Sequence, residues 1–243
     1  MELKICHLYP DAMNLFGDRG NLIALRRRLE WRGIGAEILS VPVGGTAELS
    51  DCDIILLGDG TSIGREDPME RDLREKGPSL RAAAADGVTI LAIGLGFWLL
   101  GSEIAAQDGN TRPGIDLLPL RTVTGGTKQI GDMTFSCPEL GGRTVAAFEC
   151  HDARVTLFEG LEPLGRMMHG FGNNGKDGTE GARLRNVFAS NGHGPLLPKN
   201  PLLCDLLLSA ALTRRYGAGE LAPLDNGPED LARNYIEGRL AQR

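Results

Sequence analysis

The chain has 243 residues, 42% of them hydrophobic and 24% charged, with a formal net charge of −6. That length supports one large domain, or a domain with an appendage, and can bury a sizeable core. Charges of both signs are interspersed and no run of Lys or Arg is long enough to track phosphates, which excludes an evident nucleic-acid partner.

The densest basic cluster, Arg26-Arg27-Arg28, falls inside an apolar helical repeat and reads as a solvated helix face. Five cysteines (Cys6, Cys52, Cys137, Cys150, Cys204) are odd in number and widely spaced, with no CxxC and no Cys/His pair at structural-zinc spacing. They read as reduced thiols, and no metal site is expected. Met1-Glu2-Leu3-Lys4-Ile5 enters a strand without a signal-type apolar region, and no apolar stretch approaches the roughly twenty residues of a membrane span. A cytoplasmic protein with no membrane insertion is expected.

In chain order, residues 3–9 form a β-type run closed by Pro10-Asp11. Asn21 is placed to cap a helix with Leu22, Leu25 and Leu29 on one face, and Gly33 to end it. Residues 36–41 read as a second strand, 53–57 as a third that is apolar on both faces, and 69–86 as a helix interrupted at Gly77-Pro78. A fourth strand, 88–93, follows. Such alternation predicts an α/β fold with a mostly parallel sheet covered by helices on both faces, and ligands beyond the carboxyl ends of its strands, where Gly58 and Gly94 lie. From about Thr122 to Asn191, short alternating runs (133–136, 144–150, 166–169, 187–190) between Gly, Asn and Asp predict an added antiparallel segment, as a layer or as hairpins. A strong helix then starts at Asn200-Pro201, with Leu203, Leu206, Leu207 and Ala210 on one face, and ends at Gly217. Residues 229–242 read as a weaker amphipathic helix carrying Leu231, Tyr235, Ile236 and Leu240. The expected organisation is one domain over 1–217, then a loop and peripheral helix over 218–243.

Three segments bear on chemistry. Gly94-Leu95-Gly96 closes the fourth strand in a sharp strand-to-helix turn, the kind of corner that lifts a nucleophile clear of a sheet, yet its first residue has no side chain. A dinucleotide fingerprint is not supported, because the third glycine falls at Gly101, too late for GxGxxG. Gly58-Asp59-Gly60 places backbone N–H groups where an oxyanion could be held, although the segment taken alone reads first as a plain Gly-rich turn. Asn191-Gly192-His193-Gly194-Pro195 sets one histidine between a strand-like run and the capped helix, which makes His193 a candidate base despite the usual structural role of an isolated histidine.

Five blocks together resemble one family. They are Tyr9-Pro10-Asp11-Ala12-Met13-Asn14-Leu15-Phe16-Gly17-Asp18-Arg19-Gly20-Asn21, Ile90-Leu91-Ala92-Ile93-Gly94, Ala147-Phe148-Glu149-Cys150-His151, Gly170-Phe171-Gly172-Asn173-Asn174-Gly175, and the stretch from His193 to Pro201. They are similar to the GatD subunits of lipid II isoglutaminyl synthase, relatives of the CobB/CobQ-type class I glutamine amidotransferases. The resemblance implies a flavodoxin-like fold in which an elbow cysteine attacks the side-chain amide of glutamine and a histidine, matched here by His193, serves as base and then acid. It also implies a partner, a MurT-like subunit of the Mur-ligase family. That partner receives the ammonia and uses ATP, with Mg, to amidate the D-glutamate of lipid II; no cofactor is implied for the present chain.

The departures from that family cluster on glutamine handling. Gly94 stands where similar proteins carry cysteine, Leu95 where glycine is usual, Trp98 for glutamine, Lys128 for an arginine tied to holding substrate, and Cys150 for asparagine. Gly94 has nothing to attack with, and Lys128 exchanges a bidentate clamp for a point charge. Gly58, Gly60 and Lys128 remain the expected substrate-contacting positions. Several coupled changes read as natural divergence. The expected function is a GatD-like subunit deficient in glutamine hydrolysis; the alternatives are an active glutaminase using a substitute group, for which Cys150 is the thiol to consider, and a CobQ-like amidotransferase with a different acceptor.

Overall fold

The computed structural model describes residues 1–62, 64 and 66–242; Arg243, the last residue of the expected C-terminal segment, lies outside the described residues. The chain builds β1 (Glu2–Leu8), α1 (Arg19–Glu30), β2 (Gly35–Val41), β3 (Ile54–Leu57), α2 (Pro68–Ala85), β4 (Thr89–Ile93) and α3 (Leu95–Leu99). Then come β5 (Glu103–Ala106), β6 (Thr111–Pro113), β7 (Leu120–Thr124), β8 (Gln129–Cys137), β9 (Arg143–His151), β10 (Arg154–Leu157), β11 (Gly165–His169), β12 (Thr179–Glu180), β13 (Ala182–Leu184) and β14 (Val187–Ser190). Helices α4 (Leu196–Lys199), α5 (Pro201–Tyr216) and α6 (Gly227–Leu240) complete it.

The central sheet has the order β13-β14-β4-β3-β1-β2, parallel throughout except for β13 at its edge. Without that edge strand, this is the doubly wound flavodoxin-like arrangement. Its middle strands are buried on both faces, so their residues divide between two cores. Cys6, Leu8, Ile55, Leu57, Ile90 and Ala92 pack with Leu73, Leu80 and Ala83 of α2. Leu3, Ile5, Ile54, Leu56, Leu91 and Ile93 pack with Leu25 and Leu29 of α1 and Leu203, Leu207 and Leu208 of α5. Each large aliphatic side chain so buried contributes about 1.5–3 kcal/mol. A second sheet, β12-β11-β8-β9, is antiparallel and lays Met133, Phe135, Val145 and Ala147 onto the α1/α5 core. A third, β10-β7-β5-β6, adds Ile104, Leu120 and Val155 to the core that holds α2.

One expectation is extended and three are corrected. Residues 187–190 do form a hairpin arm, antiparallel to β13, but β14 belongs to the central sheet and pairs in parallel with β4 on its other side, Val187 opposite Ile90 and Ser190 opposite Ile93. Helix α2 runs unbroken through Pro78; the proline forfeits one internal hydrogen bond, while the Asp67 carboxylate, accepting from Met69 and Glu70 N–H at 2.9 and 3.3 Å, fixes the helix start. Asn21 lies inside α1, which begins at Arg19, and its amide oxygen accepts from Leu197 N–H instead. Asn200 precedes α5 as expected but gives its side chain to β9, accepting from Ala146 N–H at 2.9 Å and donating back to the Ala146 carbonyl at 2.8 Å.

The basic triplet also divides. Arg26 and Arg27 pair with Glu30 at the surface, whereas Arg28 is buried and, with Arg32, clamps Asp205 of α5. Helix α6 packs against α4, β8 and β9, yet Leu231 and Tyr235 face outward at 73% and 70% exposure and only Leu240 is buried. Among the described residues, no helix is long and apolar enough to cross a membrane.

Candidate active site at the end of the fourth strand

The parallel pairing of β14 with β4 creates the site. Gly94 N–H donates to the Ser190 carbonyl at 3.0 Å, so the segment beyond β14 starts beside the corner that ends β4. Three residues on, His193 is locked to β9 by a two-way backbone exchange with Phe148, at 2.7 and 3.3 Å. The histidine therefore reaches the elbow because two neighbouring parallel strands end at the same level.

Gly94 has φ 54° and ψ −118°, the strained geometry of a nucleophile corner, and its carbonyl accepts from Trp98 N–H at 3.0 Å as the first bond of α3. The corner is thus complete in backbone and carries no atom that can attack an amide. Its empty side-chain position is not open space. A Cβ built on Gly94 would lie 2.8 Å or less from all three carboxyl atoms of Asp59.

Asp59 sits between Gly58 and Gly60 just past β3, and one of its oxygens, Oδ1, accepts from Leu95 N–H at 2.7 Å and Gly60 N–H at 2.9 Å. These are the donors expected of an oxyanion hole: the N–H after the nucleophile position and an N–H from a neighbouring glycine loop. The second oxygen, Oδ2, faces His193 Nε2 at 3.7 Å. Burial pushes the Asp59 carboxyl up to about 6, against the pull of its two N–H donors, and burial, helped by the nearby imidazole of His151, pushes His193 down to about 3. At neutral pH the pair is a carboxylate facing a neutral imidazole. Among the described residues neither ring nitrogen of His193 has a hydrogen-bond partner, and its ring lies 4.5 Å from that of Phe16.

A second layer holds the aspartate. Its N–H donates to Asp18 Oδ2 at 2.8 Å and its carbonyl accepts from Leu15 N–H at 3.0 Å. Gly58 and Gly60 are required here, since a Cβ on either would overlap the carbonyl of Met13 or Ala12. The motif around residues 9–21 is therefore the bed on which the Gly58-Asp59-Gly60 loop lies. On the far side, Glu149 accepts from Phe171 and Gly172 N–H at 2.7 and 3.1 Å and faces His151 at 3.6 Å. Glu180 accepts from the Ser190 hydroxyl and Asn191 N–H, and Asn191 in turn accepts from Trp98 Nε1 at 2.9 Å.

Of the residues singled out from the sequence, Gly58, Gly60, Gly94 and His193 gather around Asp59. Lys128 is exposed in the turn before β8, and no hydrogen bond or ion pair among the described residues brings it to His193 or Asp59. Cys150 alternates along β9 with Glu149 and His151, whose side chains meet each other, so its thiol projects from the opposite face. The other four cysteines are buried and form no disulfide among the described residues. Sequence reasoning named the glycines around Asp59 and passed over the carboxylate itself. The signal available was an acidic residue between two glycines at the end of the strand beside the elbow strand.

The chain is 31% identical over 98% of its length to the GatD subunit of lipid II isoglutaminyl synthase (glutamine-hydrolyzing) from Staphylococcus aureus, covering 96% of that protein. It is 31% identical over 97% of its length to the corresponding subunit from Streptococcus pneumoniae, covering 91%. A cobyric acid synthase from Pelotomaculum thermopropionicum matches at 29% identity over 72% of this chain and 34% of its own length. In fold, a glutamine amidotransferase from Thermotoga maritima aligns with a TM-score of 0.53 at 12% identity, over 98% of this chain and 87% of its own. A chain of the Thermotoga maritima PurLQS structure aligns at 0.51 with 20% identity, over 79% of this chain and 88% of its own. The family model for the CobB/CobQ-like glutamine amidotransferase domain matches residues 4–201, and the chain belongs to that family.

Proposed function

We propose that this chain is the GatD-like subunit of a two-subunit enzyme that amidates the D-glutamate of lipid II in the cytoplasm, and that it does not itself hydrolyse glutamine. Similarity to GatD over nearly the whole of both chains supports the assembly and the acceptor. The non-hydrolysing part rests on one observation: the elbow keeps its strained backbone, its histidine and its N–H donors, but residue 94 is glycine and its side-chain space holds the Asp59 carboxylate. Acyl transfer to this chain needs a nucleophile at that corner. Cys150 projects away from His151 and does not supply one. The partner is a MurT-like subunit of the Mur-ligase family, which binds ATP and Mg and activates the acceptor carboxylate; this chain needs no cofactor. Ammonia then enters from solution, and the amidotransferase fold serves as a binding and stabilising component of the ligase.

The test is the nitrogen source of the assembled complex. With the ligase subunit co-expressed and lipid II supplied, amide product should take label from [15N]ammonium and none from glutamine labelled at its side-chain amide. Label passing from glutamine to product, and lost on His193→Ala, would overturn the proposal. A cobyrinate-type acceptor is the second reading, favoured by the cobyric acid synthase match; it would show as amidation of that acceptor and not of lipid II.

A further inference from the structure

Resting on the reading of the elbow as an amidotransferase corner without its nucleophile, we propose that Asp59 and Gly94 are a single exchange. The Asp59 carboxylate is an internal occupant of the anion hole, and reopening the site takes removal of that carboxylate as well as a side chain at residue 94. Three observations carry this. The first is volume: the position of a Cβ on residue 94 coincides with the carboxyl group of Asp59, so a nucleophile and this aspartate cannot coexist in their present places.

The second is hydrogen bonding. A single oxygen, Oδ1, takes both Leu95 N–H and Gly60 N–H at 2.7 and 2.9 Å, the coordination that a tetrahedral oxyanion would require. A glutamine amide carbonyl entering this corner finds no free donor from that pair.

The third is polarity. With both N–H groups engaged, the groups left facing the corner are carboxylate Oδ2 and a neutral, fully buried imidazole without a hydrogen-bond partner among the described residues. A site built to present donors to an anion now presents a negative charge beside an uncharged ring. A thiolate placed there meets like charge, which raises its pKa and removes the form that attacks. The loop cannot simply swing aside, because Asp59 is anchored through its backbone to Asp18 and Leu15 and packed by Gly58 and Gly60 against residues 12 and 13.

Two readouts test the exchange without glutamine, acceptor or ligase, so their outcome is separate from that of the nitrogen-source experiment. The first is thiol reactivity in Gly94→Cys and in Gly94→Cys/Asp59→Gly. Iodoacetamide alkylation joins sulfur to the reagent carbon and expels iodide; peptide mass spectrometry distinguishes residue 94 from the native cysteines. The double variant should be alkylated at least tenfold faster at pH 7. Equal rates would overturn the proposal. The second readout keeps residue 94 native, and so stands even if the cysteine variants fail to fold. In Asp59→Gly, titration with acetate should move the amide resonances of Leu95 and Gly60, while in the unmodified protein the same titration leaves them in place. Acetate shifts of equal size in both proteins, or none in the variant, would overturn it.

Discussion

Replacing Gly94 by alanine tests the packing of the corner in the smallest possible step. The backbone at φ 54°, ψ −118° suits glycine, and a residue with a Cβ held there stores about 1–3 kcal/mol of strain. The new methyl would also fall 2.8 Å or less from Cγ, Oδ1 and Oδ2 of Asp59, so the carboxylate must leave a position where it accepts two backbone N–H bonds. Hydrogen bonds to a charged acceptor contribute about 1.5–3 kcal/mol each, and losing even one brings the expected cost of Gly94→Ala to about 3 kcal/mol or more. Urea unfolding followed by circular dichroism reads this as a midpoint lowered by about 1 M for a slope near 3 kcal/mol/M. In an Asp59→Gly background the same substitution should cost the strain alone, giving a coupling of at least about 1 kcal/mol in the double-mutant cycle. A cost below about 1 kcal/mol for the single change, or effects that add to within about 0.5 kcal/mol, would refute the claim that Asp59 fills the side-chain space of residue 94.

The remaining predictions concern the groups around the corner and the frame that carries it. His193, held down to about 3 by burial, should show unchanged imidazole 15N shifts from pH 8 to pH 5; because its folded pKa lies below the unfolded value of 6.5, its contribution to stability is present above pH 6.5 and lost as pH falls toward 3. A titration centred at 6 or above would contradict this. Asp205→Ala leaves the buried Arg28 and Arg32 without their shared partner and should lower unfolding stability by about 3–5 kcal/mol, whereas Glu30→Ala, at the exposed pairs with Arg26 and Arg27, should lower it by less than about 1 kcal/mol. Glu149→Ala frees the N–H groups of Phe171 and Gly172, and hydrogen exchange there should rise at least tenfold while β3 and β4 stay protected.

How much of this was legible in the sequence depended on where the determining contacts lie. Strands β3 and β4 announce themselves because burial on both faces demands unbroken apolar runs, here residues 54–57 and 90–93. Residues 187–190 read as a hairpin arm, which they are toward β13, but four residues are too few for their pattern to announce the second, parallel pairing with β4. That pairing carries His193 to the elbow, so the candidate base was named from its loop while its position depended on a contact nearly a hundred residues distant. Strands β5, β6, β7, β10, β12 and β13 went unread because each has five residues or fewer and none carries the unbroken apolar run that marks β3 and β4. Asp59 is the instructive case. Its residue type is ordinary for a Gly-rich turn, and its meaning comes from the Leu95 N–H, 36 residues on, which no local pattern encodes. Leu231 and Tyr235 err the other way: helical spacing suggested one buried face, but α6 covers little of the domain and leaves them in solvent.

The central claim, that a carboxylate sits where the oxyanion of an acyl-transfer reaction would form, is tested most directly by the amide proton shifts of Leu95 and Gly60 as a function of pH. Both donate to Asp59 Oδ1, whose carboxyl is raised to about 6, so both resonances should move upfield together as pH falls through that value. In Asp59→Asn the transition should vanish. Two amides that stay fixed between pH 8 and pH 4, or that titrate unchanged in Asp59→Asn, would contradict the account.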